Sequence, residues 1–101
     1  MNTIDNPADR PDPNLWADPE MRQAVTARDI GRVYRLLQRR GISQQRIGAL
    51  VGQSQPEVSA IMRGRRVLAY DVLARISDGL GVPRELMGLA GRPGHEPVGD
   101  P

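Results

Sequence analysis

Two helix-start signals stand eleven residues apart in the middle of this chain, at Ser43 and Ser54, with a glycine at position 52 between them. Ser43 opens "QQRIGALV", whose Ile47, Leu50 and Val51 gather on one side, and Gly52 is placed to end it in the left-handed conformation. Ser54 opens the next segment. Glu57, three residues later, completes a Ser-x-x-Glu capping box, and Pro56 lies inside the first turn, where its missing N–H costs nothing. Val58, Ile61 and Met62 face inward and Gly64 closes the element. Helices this short, joined by so few residues, must turn sharply and pack at a steep angle. Gly48 makes that possible, because a larger side chain four residues before the turn glycine would hold the second helix away from the first.

The flanks repeat the same signals. Asp18 is an N-cap and Pro19 sits at the first helical position of "PEMRQAV", with Trp16 just outside and laid back on its apolar face. Asp29 caps "IGRVYRLLQRR", where Ile30, Val33, Tyr34 and Leu37 form one buried stripe that Gly41 terminates. Beyond the "RRVLA" loop, "YDVLARISDGL" carries Val72, Leu73, Ile76 and Leu80 to a stop at Gly81, and a short last helix after Pro83 includes Leu86 and Met87. No period-two alternation competes, so the fold class is all-α, a compact bundle of five to six short helices. Residues 15–90 are expected to form the domain. Residues 1–14, rich in Asp, Asn and Pro, read as a disordered tail, and the Gly- and Pro-rich residues 91–101 as a flexible tail or linker.

Composition narrows the function. The 101 residues suffice for one small domain, with no Cys for disulfides or thiolate metal sites and no Phe for an aromatic core. No apolar run reaches the 18 or so residues of a membrane span, and the acidic start lacks the order of a secretion signal, so a cytoplasmic protein without membrane contact is expected. The net charge of +2 conceals a division: residues 1–27 carry −3, residues 28–66 carry +7 from nine arginines against Asp29 and Glu57, and residues 67–101 carry −2. All the basic residues are arginine. The one histidine, His95, lies in the C-terminal tail with no nucleophile and base arranged beside it, so no enzyme is expected, and neither a metal site nor a cofactor is implied.

The stretch "ISQQRIGALVGQSQPEVSAIMRGRR", followed by "DVLARISDGLGVPRELM", resembles the Xre family of helix-turn-helix domains, of the phage repressor and Cro type, with their lambda repressor-like fold. The likeness covers roughly residues 30 to 88, and the preceding Trp16 to Thr26 segment is similar to an additional helix of actinobacterial relatives. It implies a transcriptional regulator whose second helix, residues 54–63, enters the major groove of double-stranded DNA. Ser54, Gln55 and Pro56 match the base-reading positions, joined on the outer face by Glu57, Ser59 and Ala60. Gln55 is the foremost candidate, since an amide pairs bidentately with adenine. Gln44 matches a position that touches phosphate, and Arg63, Arg65 and Arg66 follow the reading helix where they can grip the backbone. Arg46 and Gln53 join the phosphate-binding set. Gln53 also departs from the pattern, which is apolar there, and a polar residue at that place either loosens the turn or meets a DNA backbone.

Alternatives remain open at this level. Arg32, Arg35, Arg39 and Arg40 read as a solvated face, and the same fold could serve as a protein-interaction module or antitoxin-like partner-binding domain. If the positive charge lies on the reading side, phosphate binding follows; if the arginines pair with acids of the terminal helices, the partner reading gains. One domain reads few base pairs, so a homodimer on DNA is expected. Its candidate surfaces are the last helix, with Leu86, Met87 and Leu89, or the N-terminal helix with Trp16. The C-terminal linker would lead to a sensor domain in a larger regulator.

Overall fold

Each expected N-cap closes its helix in the computed structural model, which describes residues 11–89. Asp18 accepts from the Met21 amide and α1 spans Pro19–Thr26; Asp29 accepts from the Arg32 amide and α2 spans Ile30–Arg39. Ser43 accepts from the Arg46 amide ahead of α3, Gln44–Val51, and Ser54 caps α4, Gln55–Met62. The fifth helix, α5, spans Tyr70–Leu80 and starts at Ala69 without a side-chain cap. Gly52 and Gly81 end α3 and α5 with φ of 75° and 78°, in the left-handed region. Among the described residues there is no strand. The fold is all-α.

Two elements at the ends differ from expectation. A 3-10 helix over Pro13–Ala17 precedes α1, started by Asp12, which accepts from the Asn14 amide. The expected last helix is a single 3-10 turn, Arg84–Met87, ended by Gly88 at φ 71°. The tail readings for residues 1–10 and 90–101, with His95, lie outside the described residues.

The apolar stripes converge on one core. Ile30, Val33, Tyr34 and Leu37 of α2 meet Ile47 and Val51 of α3, Val58 and Ile61 of α4, and Leu73, Ile76 and Leu80 of α5, all buried. The pairs α3–α5, α2–α4 and α3–α4 carry most of the packing. Close backbone approach is built in by glycine: a Cβ on Gly31 would strike the Ile61 carbonyl, and one on Gly79 the Leu50 carbonyl. Ser77 is the buried polar side chain of the described core, and its hydroxyl is satisfied by the Val82 carbonyl at 2.8 Å.

Of the apolar residues expected to hold a second copy, Trp16, Met87 and Leu89 are taken up inside the monomer and Leu86 is half-buried. Met87 and Leu89 are each 1% exposed and Trp16 is 5% exposed, all within the common core. The reason is a covering the sequence does not display: α1 packs on α2 and also on the 3-10 turn Arg84–Met87, so the first and last described elements close over one side of the bundle. The large apolar side chains that remain exposed among the described residues are Leu68 and Tyr70, in the approach to α5.

Candidate nucleic-acid interface

The pair α3–α4 is assembled from its turn outward. The Gln53 amide donates to the Gly48 carbonyl at 2.9 Å, and a Cβ on Gly48 would collide with the Gln53 carbonyl, so this glycine is required for the turn to fold back on α3. The capping box closes in both directions: the Ser54 amide donates to Glu57 Oε1 at 2.9 Å, and the Glu57 amide donates to Ser54 Oγ at 3.3 Å. That amide bond from Ser54, aided by its hydroxyl and by Arg65 and Arg75 nearby, holds the Glu57 carboxyl below its usual range. The one acid on α4 is thereby occupied with its own helix start.

Gln53 does not loosen the turn. Its carboxamide oxygen accepts the Tyr34 hydroxyl at 2.9 Å, which supplies a partner to a phenol that is otherwise completely buried in α2. Burial pushes the Tyr34 phenol well above its ordinary pKa, with Arg75 opposing and Glu57 adding to the rise. The polar residue at this place is therefore a response to a tyrosine on another helix. Its amide NH2 is the half that could still face a phosphate.

Val58 and Ile61 turn into the core, so the opposite side of α4 faces out. Ser54, Gln55, Pro56 and Glu57 are exposed, whereas Ser59 and Ala60 are half-buried. Arg63 folds back along the helix and its Nη1 donates to Ser59 Oγ at 2.6 Å. Arg65 and Arg66 are exposed and make no ion pair among the described residues. Gln44 is half-buried beside the Ser43 cap, and Arg46 is exposed two residues further on. The chain thus brings Ser54 to Pro56 together at one helix tip, with basic side chains after its far end.

The arginines of the basic middle are in part engaged within the fold. Arg32 pairs with Glu20 at 3.1 Å and Arg40 with Asp18 at 3.5 Å, tying α2 to α1. Arg28 donates to the Met87 carbonyl at 2.7 Å, and Arg35 Nη1 to the Met62 carbonyl at 2.6 Å. Arg35, Arg39 and Arg40 are exposed, as a solvated face requires, and Arg32 is half-buried, but Arg32, Arg35 and Arg40 also each hold a specific partner. A cavity of about 490 Å³ lies between α2 and the 64–68 loop, but its Arg28 and Arg35 are the two engaged with carbonyls and Asp29 adds a carboxylate to its wall.

Arg75 was not among the expected site residues, yet it lies beside them. From α5 its side chain reaches position 52, its Cδ and Nε both within 3.8 Å of where a Cβ would stand, and its charge acts on both Tyr34 and Glu57. The only sequence signal was its place beside the apolar stripe, which says nothing of a neighbour more than twenty residues away.

A family model described as a helix-turn-helix domain matches residues 20–90. No curated protein and no solved structure matches the chain.

Proposed function

Because the chain belongs to the helix-turn-helix domain family over residues 20–90, we propose that it is a sequence-specific double-stranded DNA-binding protein that regulates transcription and reads the major groove with α4. On this reading it is of the Xre type, similar to actinobacterial regulators. The observation that carries it is the exposed tip of α4: Ser54, Gln55 and Pro56 face outward, the acid beside them is engaged in the capping box, and Arg65 and Arg66 are exposed and form no salt bridge among the described residues. Gln55 reads a base edge, worth about 1–3 kcal/mol of discrimination where an amide pairs bidentately with adenine. Ser54, Pro56, Ser59 and Ala60 complete the reading side, with Pro56 offering an apolar contact. Gln44, Arg46, Gln53, Arg63, Arg65 and Arg66 hold phosphates, and Arg75 joins them.

Two copies on a two-fold operator, with half-sites about 34–36 Å apart, would supply affinity that one domain lacks. The residues after 90 serve as a linker toward a C-terminal sensor domain, and residues 15–90 are the DNA-binding part.

A second reading draws on Arg32–Glu20 and Arg40–Asp18, which direct part of the basic charge onto the N-terminal helix rather than outward. On that reading α4 holds a protein partner. Duplex binding measured across salt separates the two. The DNA reading expects log K to fall steeply and linearly with log salt. It also expects Gln55→Ala to erase discrimination between operators while Arg65→Ala weakens all duplexes alike. A flat salt response in the native chain would leave the partner reading standing.

A further inference from the structure

An eight-residue helix is too short to hold its own shape in water, and α4 fully buries just two side chains, Val58 and Ile61, three residues apart. Two anchors on one line leave a rod free to roll about that line. What stops the roll lies on α2. Before the first turn of α4, the Tyr34 hydroxyl donates to Gln53 at 2.9 Å; at its far end, Arg35 Nη1 donates to the carbonyl of Met62 at 2.6 Å. The Met62 carbonyl is among the last-turn acceptors that a helix leaves without an internal partner. Gly31, on the same face of α2 by its spacing of three and four from Tyr34 and Arg35, lets the two backbones close at Ile61.

We propose that Tyr34 and Arg35 are positioning residues that brace the reading helix from α2 at both of its ends. By fixing the roll and tilt of α4 they set which base edges Ser54, Gln55 and Pro56 can reach, and so govern discrimination between duplexes without contacting DNA. The consequence for discrimination rests on the DNA reading above; the brace itself does not. Neighbours in sequence thus act on points nine residues apart in the reading segment, because Tyr34 projects into the core while Arg35 runs along its surface.

The test uses the whole chain with Tyr34→Phe, which keeps the ring, and Arg35→Met, which keeps an unbranched apolar stem without the donor. Native-state amide exchange is followed helix by helix. The brace expects protection within α4 to fall by roughly twofold to tenfold in each variant, the range for losing one hydrogen bond, with α3 and α5 unchanged. In parallel, the ratio of affinities for a library-selected operator and a random duplex should fall by a similar factor. The nonspecific salt slope should stay as in the native chain. Unchanged exchange in α4 would overturn the brace. An Arg35→Met variant that weakens every duplex equally and lowers the salt slope by about one would make Arg35 a phosphate contact instead, overturning its positioning role. If the native chain shows no salt-dependent duplex binding, the DNA reading and the role in discrimination both fall, and the exchange measurement still decides the brace.

Discussion

The hydroxyl of Tyr34 on α2 and the carboxamide of Gln53 in the α3–α4 turn meet at 2.9 Å across nineteen residues of sequence. This contact ties the start of the reading segment to the centre of the core. It also sets an alkaline limit. The folded chain holds the phenol neutral, raised mainly by burial; the unfolded chain titrates it near pH 10. Its contribution is complete below about pH 10 and is lost as pH climbs from there toward the elevated folded value. Urea midpoints between pH 8 and 11 should drop more steeply for the native chain than for Tyr34→Phe, and parallel curves would contradict the assignment.

Replacing Gly48 by alanine tests the helix junction through the sign of the effect. In an open helix the change would raise stability by about 1 kcal/mol. Here the new Cβ meets the Gln53 carbonyl, and overpacking of this kind costs about 1–3 kcal/mol. Thermal unfolding should therefore shift down, by roughly 4–8 °C for each kcal/mol in a domain of this size. An upward shift would show that α3 and the turn do not touch.

The capping box predicts an acid limb. The folded Glu57 carboxyl titrates below its ordinary range because Ser54 donates to it. Its stabilising effect is present above the ordinary glutamate value of about 4.3 and disappears as pH falls through the lower folded value. Glu57→Gln retains an acceptor but does not titrate, so its stability should vary less between pH 6 and 2. Ser54→Ala removes the cap outright and should cost about 0.5–2 kcal/mol at neutral pH.

Arg28 occupies the left-handed region at φ 58°, where a side chain costs roughly 1–2 kcal/mol. The strain is offset by its guanidinium, which holds the carbonyls of Met87 and Gly88 and so fastens the C-terminal turn to the α1–α2 junction. Arg28→Ala keeps the strained backbone and loses the clamp; Arg28→Gly loses the clamp but relaxes the backbone. Urea denaturation should rank native above glycine above alanine, or native level with glycine, with alanine lowest by about 1 kcal/mol. Alanine at or above glycine would refute the account.

The elements of this fold are written locally. The caps at Asp18, Asp29, Ser43 and Ser54, the turn glycine at 52 and the apolar stripes of α2 to α5 all depend on residues within four positions of one another, which is the range over which a helix organises itself. Even the need for a small residue at Gly48 is nearly local, because the backbone it must admit is only five residues on. The basic middle was visible too, as a sum of charges.

Which arginine faces outward was settled only when the helices packed. Arg32 and Arg40 find acids on α1, Arg35 finds a carbonyl twenty-seven residues away and Arg28 one fifty-nine residues away, while Arg75 arrives beside Gly52 from a helix the turn does not adjoin in sequence. The same packing placed Trp16, Met87 and Leu89 inside the monomer and gave Gln53 its tyrosine. Periodicity and capping report whether a side chain turns inward or outward on its own helix. They carry no information about what stands opposite, and a long cation or a hydroxyl takes its role from that opposite partner.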